Sequence, residues 1–320
     1  MGETIEKRKL VKSANGVLLV TLLVFIGVSY AMEFAAVLFG EQFPFLTNTL
    51  FKLIVGQGVL LLPSLIFLVR NKKGFCRFVG FQRIHPGTLA LTVVFTYVSY
   101  PIISLCNFIS LQFSENVIDT TMEDLLKGYP VVVCVFAIAF VPCFVEEFIF
   151  RGVLYQAYKG AGLLKAIIVT ALLFGMFHMN LNQMSYAVVM GVLFICLKEA
   201  TGSIISPMLM HFLINGTSVL LSAAIVKQGG SLNVETTDTG VSSLVTVLAL
   251  GVISFFCLII LVFLLWAMAS IQHRIPVIKE TIKQNKNENC KILSPTLIFA
   301  LLICGGMMIL TQIAIMMNLM

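Results

Sequence analysis

Residues 130–156 read PVVVCVFAIAFVPCFVEEFIFRGVLYQ. No charged side chain precedes Glu146 in this stretch, and its length exceeds what about 30 Å of hydrocarbon requires at 1.5 Å per helical residue. In lipid every backbone group must be satisfied within its own segment, so the stretch reads as a spanning helix. It is then interrupted by Glu146, Glu147 and Arg151, the residue types hydrocarbon tolerates least, each costing at least about 2.5–3.5 kcal/mol at a helix centre.

Similar apolar runs recur along the 320 residues, at roughly 15–38, 51–69, 88–112, 163–181, 184–199, 203–226, 241–269 and 293–317. The chain is 59% hydrophobic and 11% charged, with a mean hydropathy of +1.01. Soluble domains are nearer half apolar and a quarter charged. The expected fold is therefore all-α, a polytopic transmembrane helical bundle of about nine spans. Residues 1–129 are the N-terminal helices, 130–225 a core made of spans four to seven, and 226–320 the C-terminal helices with a basic loop at 271–292. Spans six and seven are short and closely spaced, which predicts a tight hairpin.

The net charge of +6 comes from basic residues beside the apolar runs. They sit in the N-terminal tail (Lys7, Arg8, Lys9, Lys12), in the second connection (Arg70, Lys72, Lys73, Arg77, Arg83) and after span eight (Arg274, Lys279, Lys283, Lys286, Lys291). The segment before span four is acidic instead, with Glu115, Asp119, Glu123 and Asp124 against Lys127. Under the positive-inside rule this alternation places the N-terminus in the cytoplasm and the C-terminus outside. The expected partner of this charge is the lipid bilayer and not nucleic acid, with 271–292 a solvated interfacial linker. No cleavable signal peptide is legible. The eight cysteines form no CxxC and read as small packing residues.

Ionisable groups inside the spans carry the chemistry. Lys52, Lys165, Lys198 and Glu199 sit at span ends, from which they can reach the interface, and Glu33 is expected to snorkel there. Glu146, Glu147 and Arg151 in span four, His178 in span five, and His211 with Asn215 in span seven remain. Glu147 and Arg151 are i, i+4 and can pair. Glu146 is turned away by about 100° and has no intrahelical cation. His211 and Asn215 share a face, and Phe174 stands one turn before His178. Pro142 and Pro207 each lie four residues before a polar group, predicting kinks that open a cavity. No GxSxG or HExxH occurs, and Asp119, Asp124 and Asp238 fall in predicted loops, so serine, helical-zinc and paired-aspartyl chemistry lack their residues.

Three ordered motifs remain. Glu146 to Arg151 reads EExxxR, Phe174 to His178 reads FxxxH, and His211 to Asn215 reads HxxxN, preceded by Gly-Ser-Ile-Ile-Ser-Pro at 202–207. Over roughly 130–225 the chain resembles the CPBP family, the CAAX-processing type II prenyl endopeptidases and their bacteriocin-processing relatives. The resemblance implies an intramembrane endopeptidase of a bacterial plasma membrane, acting on a membrane-associated peptide or protein. Glu146 would be the general base and His178 would hold and polarise the water. His211 and Asn215 would form the oxyanion hole, with Glu147, Arg151 and Phe174 shaping the site. No cofactor is expected; a zinc ion on Glu146, His178 and His211 is the alternative the family suggests. Two other readings fit the same architecture: a non-catalytic bacteriocin-immunity or scaffold protein, and a proton-coupled transporter.

Overall fold

Every apolar run read from the sequence is a helix in the computed structural model, which describes residues 2–114, 118–232, 240–285 and 290–317. Glu115, Asp238 and Lys286 lie outside the described residues, as does the side chain of Asp119. The helices are α1 (Gly2–Phe39), α2 (Thr49–Arg70), α3 (Pro86–Ser110), α4 (Val131–Lys159), α5 (Leu163–Met176), α6 (Leu181–Thr201), α7 (Ile205–Lys227), α8 (Gly240–Ile271) and α9 (Pro295–Met316). Among the described residues there is no strand, and eight of these helices are long and apolar enough to cross a membrane. The exception is α5, whose 14 residues reach only about 21 Å. It packs along α6 at close range: a side-chain carbon at Gly191 would stand 2.9 Å from the Cα of Ala171. Leu164, Ile168 and Leu172, one turn apart, form its exposed outer face.

Alternating passes gather the basic segments at one end. There Lys73 lies 3.6 Å from Glu6, Asn15 donates to the Ile292 carbonyl, and Glu199 takes Lys159 at 2.7 Å and Arg274 at 3.9 Å. The expected hairpin joins α6 to α7 there, turning on Gly202 at a φ of 72° that favours glycine.

Three expectations change. The 271–292 linker contains a helix, Ile275–Asn285, and the acidic segment before α4 contains another, Ile118–Gly128. Glu33, exposed near the end of α1, keeps its expected reading and also pairs with Lys52 at 2.7 Å. Lys198 does not reach the interface. It is 2% exposed, and its Nζ turns inward to donate to the carbonyls of Val79 and Arg151.

At the opposite end, Glu123 ties the chain after α7 to the helix before α4, accepting from Ser231 Oγ and the Leu232 amide, each at 3.1 Å. Its hydrogen bond to Lys127, then that to the Leu232 amide, hold its carboxyl below the ordinary glutamate value. A carboxyl depressed on folding stabilises the tie above its ordinary pKa and loses it as pH falls through the lower folded value. Protection of the Leu232 amide, measured as its exchange rate relative to the intrinsic rate at each pH, should therefore fall on acidification across that window, and Glu123→Gln should remove that change in protection.

Candidate active site

The site is built on α4, which is not a regular α-helix. Val135–Phe140 and Phe148–Leu154 are wound as π-helix on either side of Val141–Glu147, an irregularity common at functional sites. Pro142 has no N–H to give the carbonyl of Ile138 four residues back, and the helix widens there. That carbonyl instead accepts from Asn215 Nδ2 on α7 at 3.2 Å. At the second π segment the Arg151 carbonyl takes its hydrogen bond from Lys198. Both carbonyls are thus satisfied by side chains of neighbouring helices, as a bundle interior demands.

Glu147 and Arg151 pair as their spacing predicts, with Oε1 2.9 Å from Nη1 and neither side chain exposed. The same Oε1 is 3.0 Å from His211 Nδ1 on α7. The Arg151 guanidinium lies between two aromatic faces, 4.1 Å from the Phe174 ring and 4.7 Å from that of Phe194. The His211 ring stacks on Phe194 at 5.2 Å. Cation–π contacts this well desolvated contribute about 2 kcal/mol. Four helices therefore converge on one buried ion pair.

Glu146 takes the other direction. It is half-buried and separated from either end of α4 by roughly 20 Å of helix. It lines a cavity of about 360 Å³ shared with His178. Phe25 of α1, Leu60 of α2, and Phe150, Phe177 and Met179 supply apolar wall; Gln57, Asn180 and Thr311 supply polar groups. Gln57 Nε2 donates to Glu146 Oε1 at 3.2 Å.

His178 is not inside a spanning helix. The expected span 163–181 ends at Met176, and Phe177–Asn180 form a turn. Asn180 ends the run by capping α6, its Oδ1 accepting from the Gln183 amide at 2.9 Å, while Met179 adopts a φ of 52°. The i, i+4 relation survives the turn: His178 Nδ1 is 2.8 Å from the Phe174 carbonyl, and its ring meets that of Phe174 edge-on at 5.1 Å. The turn is pinned from α3, where Asn107 and Ser110 hold Asn182.

The sequence-derived residues thus fall into two groups joined by Phe174, whose ring touches both histidines. Glu146 and His178 share the cavity. His211 and Asn215 face α4 but line none of that cavity, and Glu147 with Arg151 lies behind. Among the described residues no three His, Cys, Asp or Glu side chains converge as a metal ion requires. Glu146, His178 and His211 are accordingly not gathered into such a set in this arrangement. Gln57, Asn180 and Thr311 were not foreseen. Gln57 stands inside an apolar span, so extending the search from ionisable groups to amides finds it.

Residues 128–217 match the family model described as "Type II CAAX prenyl endopeptidase Rce1-like". This segment is similar to that family. It holds Glu146, Glu147, Arg151, Phe174, His178, His211 and Asn215, in keeping with the resemblance drawn from the three motifs. The matched segment also ends inside α7, so α1, α2 and α9, which contribute Phe25, Gln57, Leu60 and Thr311 to the cavity, stand outside it. Neither a curated protein nor a solved structure matches the chain.

Removing one member of a buried ion pair strands the other charge at a cost of about 3–5 kcal/mol. Glu147→Ala should therefore lower the thermal midpoint in detergent sharply, and the double variant Glu147→Leu/Arg151→Met should recover most of that loss.

Proposed function

We propose that this protein is an intramembrane endopeptidase that cleaves a membrane-associated peptide or protein with a glutamate-activated water. The observation that carries the reading is the contrast between adjacent carboxylates. Glu147 is paired with Arg151 and hydrogen-bonded to His211, while Glu146 faces a cavity with His178 and, among the described residues, forms no salt bridge. The Rce1-like match supports the same class of activity.

Glu146 takes a proton from water as the oxygen attacks the scissile carbonyl carbon, and His178 orients that water. The C–N bond then breaks, and the departing amine recovers the proton from Glu146. Such general-base catalysis contributes about 10²–10⁴-fold. His211 and Asn215 are the proposed oxyanion donors; both already point toward α4. In this reading the basic end of the bundle faces the cytoplasm and the substrate reaches the cavity from within the bilayer.

The test is comparative peptidomics of membranes from cells carrying wild-type protein or Glu146→Gln, followed by cleavage assays on purified protein with the peptides identified. Glu146→Gln and His178→Ala should each lower turnover by at least about 100-fold. Unchanged peptide profiles, or a cellular phenotype fully restored by Glu146→Gln, would instead indicate a non-catalytic role.

A further inference from the structure

Gln57 belongs to α2, outside the Rce1-like segment, yet among the described residues it makes the hydrogen bond given to Glu146 Oε1. An ionised carboxylate only accepts, so the amide must present its NH₂ to Glu146. The other end of the same amide is anomalous. Gln57 Oε1 is buried and no protein group donates to it. Buried polar atoms are nearly always paired, and an unpaired one costs stability. A side chain kept here for packing alone would be better as leucine, which fills similar space without an orphaned oxygen.

We infer that Gln57 is a positioning residue for the general base; the inference rests on the endopeptidase reading above. Its Nε2 fixes one carboxylate oxygen, which locks the rotamer of Glu146 and leaves Oε2 as the oxygen that receives the proton from water. Leu60, one turn along α2, forms the apolar wall next to it. The catalytic carboxylate is thus aimed by a helix that the family segment does not contain.

Gln57→Leu separates positioning from support. Turnover should fall about 10–100-fold, the range for losing a hydrogen bond to a charged group. KM should stay within about twofold, and the thermal midpoint should hold or rise. The infrared carboxylate band that disappears in Glu146→Gln should shift in Gln57→Leu, a readout that needs no substrate. Wild-type turnover in Gln57→Leu, a thermal midpoint that drops along with turnover, or an unmoved infrared band would overturn the inference. If Glu146→Gln itself keeps full activity, the endopeptidase reading fails, and with it any catalytic role for Gln57. A shifted band would then still establish the contact.

Discussion

A guanidinium with no exposure to solvent sits at the centre of this bundle, and the arrangement around it follows from keeping that charge inside. Arg151 persists there because Glu147 lies one turn away on its own helix and two aromatic rings cover its faces. Once Glu147 is committed to Arg151 and His211, the helix leaves its neighbour no choice of direction. Glu146 is rotated by about 100° and looks into the cavity. Two adjacent identical side chains thereby acquire different environments, one spent on holding helices together and the other left open to chemistry.

The backbone of α4 imposes a second constraint. Pro142 frees a carbonyl and the π segments shift others out of α-helical register, and in hydrocarbon each must find a donor. Asn215 reaches one from α7 and Lys198 another from α6. Lys198 also donates to Val79 in the short helix Phe75–Val79, tying the second basic connection to the back of the site. A lysine that sequence position alone places at the membrane surface is drawn inward because a carbonyl needs it.

The helices were legible because apolar runs of this length admit one backbone solution, and the Glu147–Arg151 pair was legible because i, i+4 geometry is local. The end of α5 was not. Gly175 stands just before the break but packs closely against Met184 and Val188, and the break itself comes from the Asn180 cap and the left-handed Met179. Gln57 escaped because an uncharged amide in an apolar span, visible as it is, names no partner until α2 is seen beside α4. The division of the polar residues into a cavity group and a buried group depends on which rings stack on which, and spacing along one chain does not encode it.

The shortness of α5 reaches beyond the protein. Lipid tails lying against Leu164, Ile168 and Leu172 meet roughly 21 Å of apolar helix where neighbouring spans offer about 30 Å or more. A bilayer accommodates such a deficit by pinching inward, at fractions of a kcal/mol per ångström. A dimple at the Met176 end of α5 would lie over the turn that carries His178 and bring headgroups and their water closer to the cavity. The bilayer would then form one side of the approach to the cavity, and lipids of different chain length would change its depth without touching a residue.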